Sequence, residues 1–160
     1  MDVRRVRPEE WRALRDVRLR ALADAPSAFE TRYDEARLRP DECWVDWAAR
    51  SASGDRQAMF VAWDDDAAVG IAGTYVERDG MRWLISMWTD SSVRRHGVGR
   101  ALVDAVVAFA RDAGSSELLL EVTHGNEAAL ALYRSCGFEE TRLGAPHADG
   151  ESTQELRLVL

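Results

Sequence analysis

The stretch RRHGVGRA, residues 94–101, decides how the rest of the chain is interpreted. It lies between a predicted strand at residues 81–89 and a predicted helix at residues 100–113. Two glycines separated by one residue let main-chain N–H groups turn toward a common point. The start of the helix adds unpaired N–H groups and the positive end of its dipole. The stretch therefore predicts an anion site suited to a diphosphate, with three guanidinium groups nearby: Arg94, Arg95 and Arg100.

A dinucleotide site of the G-x-G-x-x-G type is the main alternative for this loop. Glu121 follows Gly97 by 24 residues, near the place where a ribose-binding acid belongs. However, Leu102 occupies the third glycine position and is too bulky for the close packing that glycine permits. The glycines also follow residues 90–93 instead of the strand itself. These two departures disfavour a dinucleotide site.

Composition excludes several classes of protein. The 160 residues suit roughly one domain, predicted to span residues 1–160. There are 28 acidic and 21 basic residues, giving a net charge of −7, and every basic residue is Arg. The absence of Lys excludes P-loop NTPases and Schiff-base enzymes, and the acidic balance argues against nucleic-acid binding.

The cysteines and the apolar runs bear on metal binding and location. Cys43 and Cys136 match no metal-ligand spacing, so we expect two reduced, buried thiols and no metal. The N-terminus lacks the apolar stretch of a signal peptide, and no apolar run reaches the length of a membrane span. The expectation is a cytoplasmic protein that does not bind membranes.

Hydrophobic periodicity predicts a mixed α/β fold with a largely antiparallel sheet flanked by helices. Short turns join the three middle strands, which favours an antiparallel meander. Residues 25–39 show no regular pattern. Predicted strands cover residues 3–7, 57–63, 69–77, 81–89, 117–123, 138–143 and 152–160. Predicted helices cover residues 8–26, 41–51, 100–113 and 126–136.

A second motif, NEAALALYRSCGF at residues 126–138, reads as a short helix capped by Asn126. Alone it indicates only a core-facing stripe that includes Tyr133. Together with the first motif it strongly resembles the GNAT superfamily of N-acetyltransferases. Residues matching the family's Arg/Gln-x-x-Gly-x-Gly/Ala signature are Arg94, Gly97 and Gly99. Residues matching its Asn-x-x-Ala-x-x-Leu-Tyr-x-x-x-Gly-Phe run are Asn126, Ala129, Leu132, Tyr133, Gly137 and Phe138. The resemblance covers essentially the whole chain, although the first half matches by architecture alone.

The resemblance implies acetyl-CoA as co-substrate, held in a V-shaped opening between the predicted fourth and fifth strands. Asn126 would contact the pantetheine arm, and Tyr133 would stand near the thioester sulfur as its proton donor. Main chain facing the pantetheine would come from Met87, Trp88 and Thr89. The diphosphate would lie on the amides of Arg95, His96, Gly97, Val98, Gly99 and Arg100. The family often has Val-x-Pro where this chain has Thr89-Asp90-Ser91, a change that main-chain contacts should survive.

The implied reaction moves an acetyl group directly to a primary amine, most simply that of a small molecule. Because the chain has no Lys, the acceptor amine is expected to come from outside. Residues expected to shape the acceptor site are Phe29, Glu30 and Tyr33. The predicted fourth strand carries no carboxylate, which leaves several candidates for the base: Glu121, Glu30, Asp34, His124 or a water molecule.

Two alternatives and one assembly question stay open at this stage. The chain could be a non-catalytic acyl-CoA-binding sensor of the same fold, or an acetyltransferase of protein N-termini or lysines. A homodimer is also left open, because an exposed final strand can pair with a second copy.

Overall fold

The structure, a computed structural model, describes residues 1–146 and 152–160. Its strands are β1 (Asp2–Arg5), β2 (Gln57–Asp64), β3 (Ala67–Val76), β4 (Arg82–Thr89), β5 (Glu117–Thr123), β6 (Glu139–Pro146) and β7 (Ser152–Val159). Its α-helices are α1 (Trp11–Asp24), α2 (Tyr33–Ala36), α3 (Asp41–Ala52), α4 (Val98–Asp112) and α5 (Glu127–Ser135). Short 3-10 turns cover Pro8–Glu10, Pro26–Ala28 and Ser91–Val93.

The described strands form one seven-stranded sheet in the order β1-β2-β3-β4-β5-β7-β6. All neighbouring strands are antiparallel except β4 and β5, which are parallel and share a single ladder pair, Trp83 with Leu119. This architecture confirms the predicted mixed α/β fold with a largely antiparallel sheet. It also divides the sheet into two sections that meet only at the start of β4.

Helices cover both faces of the sheet because alternate side chains of each strand point to opposite faces. On one face, α4 and α5 pack over apolar residues such as Leu118, Leu120 and Val122 of β5. On the other face, α1 and α3 pack over β2 and β3, with Leu14 and Ile71 fully buried. Burial on both faces explains the continuous run of leucines in β5.

The predicted helices and strands all lie close to their expected positions, with shifted ends. The structure adds α2, a four-residue helix within the stretch predicted to be irregular. In the part of the chain described, no helix combines the length and apolar character that crossing a membrane requires.

The prediction of two buried thiols is wrong for Cys43, which is exposed, while Cys136 is half-buried. The buried face of α3 consists of Trp44, Ala48 and Ser51, spaced by four and then three residues. Cys43 lies beside this stripe and points outward because consecutive helical residues are rotated by about 100° around the axis.

The final strand is not exposed as an edge, which corrects the basis given for a homodimer. β7 pairs with β5 on one side and with β6 on the other. Among the described strands, the sheet edges are β1 and β6. The pairing of a second copy with β7 is therefore excluded, because its main-chain hydrogen-bonding groups are already used within the sheet.

Candidate active site

The end of β4 separates from β5 because a β-bulge redirects the strand. The register against β3 shifts between the pair Gly73–Ile85 and the pair Ile71–Trp88, so one extra residue enters β4. Ser86 lies in this bulge with φ of 58°, a left-handed conformation that is rare for a residue with a side chain. Beyond the single Trp83–Leu119 pair, β4 and β5 form no further ladder. The result is a V-shaped gap between two parallel strands.

Main-chain groups of β4 face this gap. The Asp90 N–H donates to the Val69 carbonyl in β3 at 2.8 Å. In an antiparallel strand, successive residues direct their N–H and C=O groups to opposite sides. Thr89 and Met87 therefore direct their main-chain groups toward β5, where no strand partner stands. A ligand that enters the gap can hydrogen-bond to β4 as an additional strand would.

The loop that follows β4 forms the start of α4. Asp90 caps the Ser91–Val93 turn, with its Oδ1 accepting from the Ser92 N–H at 3.0 Å. Gly97 then adopts φ of 82°, which glycine tolerates without strain, and its carbonyl accepts from the Ala101 N–H at 3.0 Å. This is the first hydrogen bond of α4. The N–H groups of Val98, Gly99 and Arg100 therefore have no partner within the helix and point outward with the positive end of the dipole.

The three arginines of the loop have different surroundings. Arg94 pairs with Asp24 at the end of α1, and its Nε donates to the Thr89 carbonyl at 3.1 Å. Arg100 donates to the Ser135 carbonyl in α5 at 3.1 Å. The exposed side chains of Arg95 and His96 have no side-chain partner among the residues that the structure describes. Arg94 thus holds the loop against α1 and β4, while Arg95 is available to an anion.

Asp24 is the hub that fixes the end of β4. Its Oδ2 accepts from Trp88 Nε1 at 2.9 Å and also pairs with the Arg94 guanidinium. The hydrogen bond from Trp88 and then that from Arg94 hold the pKa of Asp24 below its usual value. A parallel ion pair between Arg20 and Asp90, at 2.9 Å, joins α1 to the start of the loop. The orientation of the anion loop therefore depends on α1 as well as on the sheet.

The two sequence motifs meet where α4 packs against α5 and β4. A Cβ added to Gly99 would lie 3.2 Å from Leu132 Cδ2 and 3.3 Å from Met87 Cε. Only glycine permits this approach without displacing a neighbour. Asn126 caps α5 by accepting from the Ala129 N–H at 3.2 Å, which leaves the amino group of its side chain available.

Tyr133 lies on α5, is 6% exposed, and packs edge-on against Phe138 with 5.9 Å between ring centroids. Burial raises its pKa above the ordinary value, so the phenol is protonated at neutral pH. Its hydroxyl has no hydrogen-bond partner among the described residues. Among those residues, the fully buried side-chain atoms without a partner are the indole nitrogens of Trp63 and Trp83, so the Tyr133 hydroxyl is not one of them. The Tyr133 hydroxyl is therefore not sealed in the core and can donate to a ligand.

The opposite face of the bulge is formed by Arg18 and the segment after α1. Arg18 Nη1 donates to Ser86 Oγ at 3.1 Å, and the guanidinium lies 4.7 Å from the centre of the Phe29 ring. Thr123 Oγ1 of β5 donates to the Ser27 carbonyl at 3.1 Å. Arg18 thus links Phe29 to the bulge at Ser86.

Negative charge gathers at the β5 side of this face. Glu121 alternates with the leucines that face α4, so its side chain lies on the α1 face. Burial, the hydrogen bond to Glu77, and the charges of Glu30 and Glu121 together raise the pKa of Tyr75 to about 12. Two predicted base candidates, Glu30 and Glu121, therefore both lie close enough to Tyr75 for their charges to act on it.

The remaining sequence-predicted residues lie on α2 and just after β5. Tyr33 is 41% exposed on α2, and Asp34 pairs with Arg37 at 3.5 Å on the same surface. His124 is exposed at the end of β5. In residues 1–146 and 152–160, no three His, Cys, Asp or Glu side chains are grouped closely enough to hold a metal ion.

A cavity of about 420 Å³ opens beside the bulge between β4 and α3. Its wall includes Ser86 and Arg18, together with Trp44 and Trp47 of α3. Sequence analysis missed this cavity, the bulge and the contacts of Asp24 with Trp88 and Arg94. It also missed that Tyr75 lies near Glu30 and Glu121. One signal was available: Arg18 lies four residues after Leu14 and four before Leu22, on the apolar face of α1, where a charged residue is unusual.

Comparisons with known proteins show the family of the chain. The model of the acetyltransferase (GNAT) family matches residues 11–138, and the chain belongs to this family. Human N-acetyltransferase 8 is 36% identical over 98 residues, 58% of this chain and 43% of that protein. The mycothiol acetyltransferase of Geodermatophilus obscurus is 32% identical over 125 residues, 74% of this chain and 38% of that protein. The aligned part of the chain spans less than half the length of these two relatives.

A shorter relative and two solved structures align over more of their length. The [ribosomal protein bS18]-alanine N-acetyltransferase of Escherichia coli K12 is 32% identical over 120 residues, 75% of this chain and 78% of that protein. A GNAT-family acetyltransferase from Streptococcus pneumoniae superposes with a TM-score of 0.85 at 19% identity, covering 99% of both chains. The yncA protein of Salmonella typhimurium, solved with acetyl-CoA, superposes with a TM-score of 0.80 at 18% identity, covering 100% of this chain and 94% of its own. Both superpositions show the fold.

The Asp24 hub predicts a pH-dependent contribution to stability. A carboxyl whose pKa is lowered by folding stabilises the protein above its unfolded-state pKa, and this contribution is lost as pH falls through the folded-state value. Asp24 and Arg94 are 41% and 45% exposed, so we expect Asp24→Asn to lower the free energy of unfolding by about 0.5 to 1 kcal/mol at pH 6. The difference from wild type should shrink toward pH 3, as measured by urea unfolding.

Asp112→Asn, on the exposed end of α4, makes the same change in net charge and serves as the control. A difference between wild type and Asp24→Asn that is equal at pH 6 and pH 3 would contradict the assigned ion pair.

Proposed function

We propose that the protein is an acetyl-CoA-dependent N-acetyltransferase that moves an acetyl group directly to the primary amine of a small molecule. The observation that carries this proposal is the gap between β4 and β5, which is bordered by main-chain groups of β4 without a strand partner and ends at the anion loop. Family membership supports the activity, and the superposition on a protein solved with acetyl-CoA supports the fold needed for it.

In this proposal the site residues would contact the parts of acetyl-CoA in order along the gap. The unpaired N–H groups of Val98, Gly99 and Arg100 would receive the diphosphate, with the Arg95 guanidinium adding charge. The pantetheine arm would pair with the main chain of Met87 to Thr89, and the side-chain amino group of Asn126 would contact it. This order places the thioester near the bulge at Ser86.

In this site the bound co-substrate would supply the acetyl group as a thioester. The amine nitrogen attacks the carbonyl carbon, the C–S bond breaks, and the departing sulfur needs a proton. Tyr133 would give this proton, because a phenol is protonated at neutral pH and its hydroxyl has no other partner among the described residues. A main-chain N–H of β4 would polarise the carbonyl oxygen. No covalent intermediate on the protein is needed, so the cysteines have no part in the reaction.

The attacking amine must first lose a proton. An amine like that of lysine, with a pKa near 10.4, costs roughly 4 to 5 kcal/mol to deprotonate at neutral pH. We propose Glu121 as the base that accepts this proton, directly or through water. It lies on β5, on the acceptor face of the gap, whereas Glu30 lies in the segment after α1. Negative charge from both would attract a cationic amine.

A small-molecule acceptor is favoured by the cavity of about 420 Å³ beside the bulge, which has a size suited to a metabolite. Among the relatives, one is named for mycothiol and another for the alanine terminus of a ribosomal protein, so both acceptor classes occur in the family. The presence of Tyr133 together with an open gap favours an enzyme over a non-catalytic sensor.

Tyr133→Phe should lower kcat by about 100-fold, because it removes the proton donor for the leaving sulfur. The measurement is release of the CoA thiol from acetyl-CoA across a panel of primary amines. Because the hydroxyl has no partner among the described residues, acetyl-CoA affinity should stay within about twofold and unfolding free energy within about 1 kcal/mol.

Ser53→Ala removes a hydroxyl from an exposed residue that follows α3; it is the control and should leave kcat unchanged. An unchanged kcat in Tyr133→Phe would contradict the assignment of Tyr133 as the proton donor and leave it a packing residue of the core. Acetyl-CoA binding without thiol release from any amine would support the sensor instead.

Glu121→Gln should lower kcat/KM by about 100-fold for a strongly basic amine, because the ammonium proton loses its acceptor. With a weakly basic amine, which is already neutral near pH 7, the loss should be much smaller. The measurement compares the two amines in the same thiol-release assay.

Glu30→Gln removes the neighbouring carboxylate and is the matched variant. We expect this variant to lower kcat/KM by a factor that does not depend on the basicity of the amine. If Glu30→Gln shows that dependence and Glu121→Gln does not, the base is Glu30.

A further inference from the structure

The cavity beside the bulge carries excess positive charge. Four charged side chains line it, three of them arginines: Arg18, Arg39, Arg50 and Asp46. Asp46 is already paired with Arg50, with 2.8 Å between its Oδ2 and Nε. Within residues 1–146 and 152–160, no carboxylate forms an ion pair with Arg18 or Arg39. Two unpaired guanidinium groups therefore face one cavity in a protein whose net charge is −7.

Arg18 is in an unusual position for a cation without a counter-charge. It extends from the apolar face of α1, and burial together with the positive charge of Arg39 lowers its pKa to about 10. Its described contacts are the Ser86 hydroxyl at 3.1 Å and the face of the Phe29 ring. Neither contact neutralises its charge. A buried charge of this kind is stabilised when an anion occupies the adjoining space.

The cavity also has the location that an acceptor needs. It reaches the bulge residues Ile85 and Ser86, where the proposed function places the thioester, and it extends away from them to the indole rings of Trp44 and Trp47. The acidic cluster of Glu30 and Glu121 lies at the β5 side of the same face. Negative charge at one end and positive charge at the other complement a molecule that carries both an amine and an anion.

We propose that the acceptor is a small amino carboxylate, and that Arg18 and Arg39 bind its carboxylate while the amine faces β5. This inference rests on the proposed function and narrows its substrate class. The planar guanidinium fork of Arg matches a carboxylate with two parallel hydrogen bonds. A protein N-terminus is disfavoured as the acceptor, because its first residue carries a peptide bond where a free amino acid has a carboxylate.

The test compares each amino acid with its own carboxamide in the thiol-release assay. The wild-type protein should show kcat/KM at least about tenfold higher for the carboxylate form, because the carboxamide leaves the two guanidinium groups unpaired. Arg18→Met keeps a stem of similar bulk without the guanidinium and should bring the ratio of the two forms close to one. Arg12→Met, on the exposed side of the same helix, is the matched control and should keep the wild-type ratio.

A binding measurement without turnover completes the test. Cys43 lines the cavity and is exposed, so an amino carboxylate bound there should slow its alkylation by iodoacetamide at least about fivefold. Cys136 on the other face of the sheet is the internal reference, and its alkylation should not change. The carboxamide at the same concentration should leave Cys43 unprotected. Arg39→Gln, at an exposed position, should abolish the protection even if Arg18→Met fails to fold.

The outcomes separate the two levels of the proposal. Equal rates for carboxylates and carboxamides in the wild-type protein would overturn the carboxylate site and leave acetyl transfer intact. Faster transfer to a peptide N-terminus than to any amino acid would also overturn it. Release of thiol from none of the amines, with Cys43 still protected by amino carboxylates, would instead overturn the proposed function and retain the anion site.

Discussion

Strands β4 and β5 run parallel, yet they share a single ladder pair, and the rest of the site depends on this separation. A parallel pair of this length would normally use its main-chain groups in a continuous ladder. The bulge at Ser86 turns β4 away, so that main-chain donors and acceptors remain unpaired in the middle of a sheet. Buried main-chain groups are costly when left without partners. The gap is therefore a place where a ligand with its own amide groups completes the hydrogen bonding of the sheet.

Charge distribution reinforces this geometry. Two arginines of this acidic protein lie where they can act on an anion. Arg95 has no side-chain partner among the described residues at the anion loop, and Arg18 lies at the acceptor side of the bulge. Arg94, in contrast, is occupied by Asp24 and by the Thr89 carbonyl, so it fixes the loop. The same residue type thus has separate structural and binding roles, which are distinguished by whether a carboxylate already pairs with it.

The sequence was informative where function depends on local backbone geometry. The glycines of residues 94–101 and the cap at Asn126 are short-range features, and both appear as predicted, on the N-terminus of α4 and of α5. The antiparallel meander of β2, β3 and β4 followed from their short connecting turns, whereas the internal position of β7 did not. What could not be predicted depends on residues far apart in the chain. The bulge at Ser86 has no sequence signature, and Arg18 meets it across 68 residues. The outward position of Cys43 depends on the packing of Trp44 and Trp47 against the core, which fixes the buried face of α3.

The central claim is that the gap between β4 and β5, together with the anion loop, binds acetyl-CoA. Hydrogen–deuterium exchange with and without acetyl-CoA tests it most directly, because the amides concerned are the ones proposed to gain partners. The account predicts slower exchange at Met87, Thr89 and residues 98–100, with no change in β2 or β6. Binding of acetyl-CoA that leaves the exchange of both segments unchanged would contradict it.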